Sequence, residues 1–280
     1  MIGVIGGSGL YEIDDLEKKE QIELSSNFGT PSDIAIKGKL QGLDFIFLPR
    51  HGKNHTLNPS EINYKANIEA LKKIGVTNII SISAVGSLQE KHFPGKFILV
   101  DQFIDRTYKR ENTFFEGGCV AHTPFAEPVC KSLASTIGNA LDELNMQHEK
   151  SGTYMCIEGP QFSTKAESLL YKSWGCDVIG MTNLPEAKLA REAGICYATI
   201  SMVTDYDCWH ESHETVTVSA IKSTMEENKN NVLNLIRILP KFLNESSSCE
   251  ICRGNRMNSV ITASNEINED IKKKLKNILS

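Results

Sequence analysis

The feature that most constrains this chain is an alternation. Short apolar runs give way to segments of helical periodicity, and run after run closes on a cluster of glycine, serine or acidic residues. Residues 1–5 lead into Gly6-Gly7-Ser8-Gly9, residues 78–83 into Ser83-Ala84-Val85-Gly86-Ser87, and residues 195–203 into Thr204-Asp205-Tyr206-Asp207. Strands alternating with helices argue an α/β sheet domain. We expect one such domain over residues 1–243. A tail over 244–280 is richer in Ser, Asn and Lys.

Individual elements carry their own signals. Residues 34–40 and 43–48 read as a hairpin across Gln41-Gly42. Asn58-Pro59-Ser60-Glu61 supplies an N-cap, a proline at N1 and a glutamate at N3, and predicts a helix start. Tyr64, Ile68, Leu71 and Ile74 follow at helical spacing, up to Gly75. Gly86-Ser87 reads as a turn, and residues 96–103 as one strand. Val129, Leu133, Ile137 and Leu141 mark a face of a helix over 128–144, and Thr164-Lys165-Ala166-Glu167 is a capping box. Residues 217–239 form a long helix broken by Pro240. In the tail, Ile267, Ile271, Leu275 and Ile278 predict a short amphipathic helix.

Composition narrows the function classes. Of 280 residues 23% are charged, and the net charge is −5. A nucleic-acid binder would carry a basic face, so nucleic acid is not an expected partner. No apolar run approaches the roughly 18 residues of a membrane span. The first residues lack a basic stretch and a cleavage site, so a cytoplasmic location is expected. Among eight cysteines, Cys249-Glu250-Ile251-Cys252 forms a single close pair. A zinc ribbon requires a second pair or spaced histidines, so no metal is expected. A local Cys249–Cys252 disulfide stays open. Cys119, Cys130, Cys156, Cys176, Cys196 and Cys208 are expected to be mostly buried small apolar residues.

The chemistry gathers at the strand ends. Asp205 and Asp207 face one side if the backbone stays extended. Burial raises a carboxyl pKa, so one of the two can hold a proton near neutral pH. A donor beside an acceptor matches the N7/N6 edge of adenine. Arg50-His51-Gly52-Lys53-Asn54-His55 follows a strand and suits phosphate, with the arginine making bidentate contact. In Gly6-Gly7-Ser8-Gly9, backbone N–H groups and the Ser8 hydroxyl can converge on an oxyanion. No Gly-Lys-Ser/Thr follows it, and the dinucleotide glycine spacing fails. Ser83, and Thr182 within Gly180-Met181-Thr182, add hydroxyls. Glu158-Gly159-Pro160-Gln161-Phe162-Ser163 brings an aromatic that stacks on a base or fills the core. Singly, each is as well explained by a turn, a solvated loop or core. Together they occupy the strand ends where α/β folds place their sites.

In order and approximate spacing, these segments resemble the motifs of the S-methyl-5′-thioadenosine phosphorylase family over residues 2 to about 240. Asp101-Gln102-Phe103-Ile104-Asp105-Arg106 belongs to the same set. The resemblance implies a nucleoside phosphorylase-like α/β fold, a central mixed, twisted and partly barrel-like sheet flanked by helices. It places Ser8, Arg50, His51, His55, Ser83, Ala84 and Thr182 around phosphate, Ala84 through its backbone. Phe162 and Met181 would flank base and ribose; Ser163, Asp205 and Asp207 would meet the purine. Val218, Ile221 and His122 would line the 5′-alkylthio pocket, with His122 serving a neighbouring subunit. The resemblance further implies phosphate as co-substrate, no metal or organic cofactor, and a homotrimer or a homohexamer built as a dimer of trimers. The tail after about 243 resembles only the cysteine-rich C-terminus of some archaeal-type members, and whether Cys130 and Cys196 pair stays open. A broader phosphorylase acting on adenosine, inosine or guanosine and a non-catalytic purine-binding subunit are the alternatives.

Overall fold

Alternating apolar strands and amphipathic helices build a mixed sheet with helices on both sides. The computed structural model describes residues 1–7, 10, 13–210, 218–243 and 249–280; for 218–223, 225 and 255–258 it describes the backbone only. Eleven strands are present among these residues. They are β1 (Ile2–Gly6), β2 (Glu17–Ile22), β3 (Ala35–Leu40), β4 (Leu43–Pro49), β5 (Asn78–Ser87), β6 (Phe97–Val100) and β7 (Gln102–Arg106). The remainder are β8 (His148–Glu149), β9 (Thr153–Ile157), β10 (Val178–Gly180) and β11 (Cys196–Asp205). The helices are α1 (Tyr64–Lys73), α2 (Lys131–Glu143), α3 (Lys165–Ser173), α4 (Asn183–Glu192), α5 (Val218–Ile238), α6 (Glu250–Ser259) and α7 (Glu269–Leu279).

The sheet runs β2–β3–β4–β1–β5–β10–β9–β7, and β11 joins β5 to β6. β6 and β7 follow one another with only Asp101 between them, yet β6 pairs with β11 and β7 with β9. The chain thereby closes a ring, β5–β10–β9–β7/β6–β11, which is the barrel-like part of the fold. The single strand expected over 96–103 is thus two. Asp101 makes the break, accepting a bond from the Gly152 N–H at 3.0 Å.

The hairpin forms as expected. Gln41 and Gly42 both take positive φ, 48° and 87°, as a tight two-residue turn requires. The helix-start signal at Asn58 behaves differently. Asn58 and Glu61 do bond reciprocally, at 2.9 and 3.2 Å, but they close a lone turn. Helix α1 starts later, where Asn63 caps the Ala66 N–H. The expected turn at Gly86-Ser87 is also absent, because β5 runs through it and pairs there with β10.

Two large cores pack on the sheet, and a smaller third gathers Leu88, Met155, Tyr171 and Trp209. Ile68 and Leu71 of α1, Leu189 of α4, and Leu275 and Ile278 of α7 lie in one. Leu133, Ile137 and Leu141 of α2 join Val232 and Ile236 of α5 in the other. Helix α7 is the amphipathic helix expected in the tail, and it packs on the body. Pro240 lies in a 3-10 turn just after α5. No helix among the described residues is long and apolar enough to cross a membrane.

Candidate active site

The site begins at the end of β11. The strand stops at Asp205, and Asp207 lies in a 3-10 turn with φ of 50°, so the extended geometry expected for the pair is not what joins them. The Asp207 N–H instead donates to Asp205 Oδ1 at 2.8 Å. Thr204 Oγ1 donates to Asp205 Oδ2 at 2.7 Å, and Ser168 Oγ of α3 to Asp207 Oδ2 at 2.5 Å. Burial raises the pKa of Asp205, tempered by the Thr204 and Asp207 bonds. Burial likewise raises that of Asp207; the Ser168 bond opposes this, and the Asp205 charge adds to it. One glycine makes the arrangement possible. A Cβ on Gly86 would stand 3.1 Å from Asp205 Oδ1 and 3.2 Å from the Asp207 Cβ.

The second half of the site is an opening in the sheet. β1 pairs with β5 only as far as Ser81, and β10 only from Gly86. β11 holds the opposite edge from Asn78 to Gly86. Between Ile82 and Val85 the first edge of β5 therefore has no partner strand among the described residues. Ser83 and Ala84 lie in that gap. The Ser83 hydroxyl stands 3.5 Å from that of Thr182, and the Tyr154 hydroxyl neighbours both the Ser83 hydroxyl and the Thr182 N–H. Thr182 precedes α4 as its N-cap residue but does not use its side chain to cap it. Paired hydroxyls beside an open strand edge and a helix start suit an oxyanion.

Arg50 departs from expectation. It is 2% exposed, and its bidentate partner is Glu186 of α4, with Nε to Oε2 at 2.8 Å and Nη2 to Oε1 at 3.0 Å. Nη2 also donates to Ser81 Oγ at 2.6 Å, and Nη1 to the Ile82 carbonyl at 3.1 Å. A guanidinium at this depth without a carboxylate would be strongly destabilising. Burial pulls the Arg50 pKa down, and Glu186 more than reverses this, so it ends raised. The charge thus sits directly under the open edge, fixed from below.

His51 follows, half-buried, with Nδ1 2.9 Å from the Leu57 carbonyl. That bond makes Nδ1 the protonated nitrogen of the neutral ring. Burial, then the Arg50 charge, lowers its pKa to about 4. His55 stacks on it at 4.3 Å between centroids, itself exposed.

The loop after β9 supplies a rim. Phe162 is 55% exposed, so it does not fill the core. Ser163 has a buried hydroxyl without a hydrogen-bond partner among the described residues. Its carbonyl accepts from Cys208 Sγ at 3.4 Å, which joins this loop to the carboxylate turn. Met181 lies against Gly159, and its carbonyl is held by Arg110 at 2.5 Å. Ser8 and the side chains of Val218 and Ile221 fall outside the described residues. His122 is exposed on a loop tied to the tail, its N–H donating to the Ser259 carbonyl at 2.8 Å, and among the described residues no hydrogen bond links it to the carboxylates.

Sequence reasoning missed Glu186, Ser168 and Tyr154. Each acts through another group of the site. The available signal was indirect: a cation or a carboxylate at a buried strand end requires a partner somewhere in the chain.

The eight cysteines are free thiols, so neither the Cys249–Cys252 nor the Cys130–Cys196 disulfide is formed. The sulfurs of Cys252, Cys130 and Cys196 lie within 4.8 Å of one another.

Comparison with known proteins places this geometry. The profile of the phosphorylase superfamily matches residues 1–241. The S-methyl-5′-thioadenosine phosphorylase of Rhodospirillum rubrum is 53% identical over 88% of this chain and 83% of its own. That of Koribacter versatilis is 48% identical over 99% of this chain and 95% of its own, and so spans the tail. A methylthioadenosine phosphorylase from an Antarctic soil metagenomic library superposes with a TM-score of 0.94 at 41% identity, covering 100% of this chain and 98% of that one. The Schistosoma mansoni methylthioadenosine phosphorylase in complex with adenine gives 0.87 at 34% identity, over 94% of this chain and 99% of that one.

Proposed function

This chain belongs to the phosphorylase superfamily, and from that premise we propose that it cleaves S-methyl-5′-thioadenosine with inorganic phosphate, giving adenine and 5-methylthioribose 1-phosphate. It is a pentosyltransferase. One observation carries the reading: the carboxylates of Asp205 and Asp207, both with raised pKa values, lie against Gly86 at one end of β5, and Ser83 at the open edge of the same strand faces the Thr182 hydroxyl. Gly86 and Ser83 are three residues apart, about 10 Å along an extended strand, which leaves room for a ribose between base and phosphate.

Breaking the C1′–N9 bond leaves positive charge on the ribose and negative charge on the purine, so catalysis must stabilise both. Asp205, whose partial burial raises its pKa and favours the protonated form, donates a proton to N7 and makes adenine a better leaving group. Asp207 accepts from the N6 amino group. An inosine or guanosine O6 offers an acceptor there, which a carboxylate repels, so the pair favours 6-aminopurines. Phosphate, held by Ser8, Ser83, Thr182 and the Ala84 backbone, attacks C1′ and balances the ribose cation. Arg50 adds positive charge from beneath and steadies the open edge. The neutral His51 leaves Nε2 as an acceptor, suited to a phosphate proton. Phe162 and Met181 flank base and ribose, Ser163 reaches the purine edge, and Val218, Ile221 and a neighbour's His122 enclose the methylthio group. The chemistry requires no metal or organic cofactor. Adenine release and the methylthio product suit purine and methionine salvage in the cytoplasm, and a neighbour-supplied His122 calls for a trimer or a dimer of trimers.

A substrate screen at saturating phosphate tests the reading. Methylthioadenosine should give the highest kcat/KM, adenosine less and inosine least. Preference for inosine, or equal turnover without phosphate, would overturn it. Thr182→Val should raise the phosphate KM about tenfold, the effect of one lost charge-assisted hydrogen bond. The nucleoside KM should stay unchanged.

A further inference from the structure

We infer that Cys130, Cys196 and Cys252, completed by Cys249, form a structural zinc site that fastens the tail to the body of the protein. The first three sulfurs lie within 4.8 Å of one another and are buried. Tetrahedral zinc, with Zn–S near 2.3 Å, sets its sulfurs about 3.8 Å apart, so a contraction of about 1 Å closes the site. A disulfide would draw two sulfurs to about 2 Å and strand the third.

The ligands come from three elements that the fold brings together. Cys196 opens β11, and Cys130 is the N-cap residue of α2, its N–H bonded to the Tyr197 carbonyl at 2.8 Å. Cys249 is the N-cap residue of α6, and Cys252 lies in that helix's first turn. The i, i+3 spacing puts both on one helix face, and Cys249, half-buried, packs against the core that holds Cys130, Cys196 and Cys252.

The surroundings favour thiolates. Neither Cys130 nor Cys249 caps its helix through its side chain. Two helix N-termini, each with unsatisfied N–H groups and a positive dipole end, therefore open beside the sulfurs. On binding, each S–H proton leaves to solvent. Spacing along the chain argued against a metal, since no second close pair exists. Folding supplies the missing half from residues more than fifty positions away. The far end of α6 bonds to the loop of His122, so a metal here would also steady that loop.

The test uses untagged protein purified without chelator from zinc-supplemented medium. We expect about one zinc per chain by elemental mass spectrometry. Cys130→Ser, Cys196→Ser and Cys252→Ser should each retain less than about a tenth of it, and Cys176→Ala should keep it. Cobalt(II) in its place should give intense sulfur-to-metal charge-transfer absorption. Wild-type protein without stoichiometric zinc overturns the site, whether its thiols are all free or peptide mapping without reductant finds a disulfide among these four cysteines. That outcome does not depend on any variant folding. Zinc retained in all three serine variants overturns it equally.

Discussion

Asp205→Asn separates the proton-donating role of Asp205 from its structural one. Asp205 Oδ1 accepts from the Asp207 N–H, and an asparagine oxygen can do the same. At the other position Thr204 Oγ1 lies 2.7 Å from Oδ2 and 3.1 Å from the Val85 carbonyl. The hydroxyl has one proton. In the variant it donates that proton to Val85 and accepts from the asparagine Nδ2, so no buried polar group is orphaned. Stability should not fall. Burial raises the Asp205 pKa above its ordinary 3.8, so the native state holds this proton more tightly than the unfolded chain does. That contribution to stability is complete below 3.8 and is lost as pH rises through the raised value. Asparagine removes the loss, so the variant should match or exceed the wild-type Tm at pH 7. Turnover behaves oppositely. A positioned general acid contributes about 10²–10⁴-fold, or about 3–5 kcal/mol of barrier. Adenine release measured at saturating phosphate should show kcat reduced by that range, with the phosphate KM within about threefold of wild type. A kcat within about threefold of wild type would refute the acid assignment. A Tm lowered by many degrees would refute the bond-swapping argument.

Other perturbations probe the neighbouring parts. Gly86→Ala introduces a Cβ 3.1 Å from Asp205 Oδ1 and from Ile179 Cγ2. Overpacking of this kind costs about 1–3 kcal/mol, and kcat should fall with the displaced carboxylates, as paired melting and turnover assays would show. Glu186→Ala leaves the Arg50 guanidinium buried without its partner, and urea unfolding should report a loss of about 3–5 kcal/mol. For His51 the pH dependence has the other sign. Its pKa lies near 4, below the ordinary 6.5, so the stability it contributes is present above 6.5 and lost as pH falls toward 4. His51→Gln should flatten that part of the Tm–pH curve. Leu275→Ala in α7 should cost about 2–5 kcal/mol, measured by the same unfolding, if the tail helix is part of the core.

Much of this protein was written along the chain. The Gln41-Gly42 hairpin, the Thr164 capping box and the amphipathic stripe of α7 are local in origin, set by turn chemistry, reciprocal capping bonds and apolar periodicity. So was the gathering of polar clusters at strand ends after β4, β9, β10 and β11, because each of these follows its own apolar run, whereas the Ser83 cluster lies inside β5. What involved partners distant in sequence was decided only by folding. The cap signal at Asn58 closes a single turn, and the helix starts instead at the cap that Asn63 provides. The strand expected over 96–103 divides because its two halves find different neighbours. Arg50 turns to Glu186, since a buried charge takes the carboxylate that tertiary packing places beside it. Asp205 and Asp207 are joined by a bond from the Asp207 N–H to the Asp205 carboxylate and given room by the missing side chain of Gly86. The open edge between Ile82 and Val85 exists only because β1 stops where β10 has not yet begun. The sulfur cluster likewise draws on three elements that meet only in space. Periodicity and capping act over a few residues and can be read in order, whereas charge pairing, strand register and ligand convergence depend on which distant segments become neighbours.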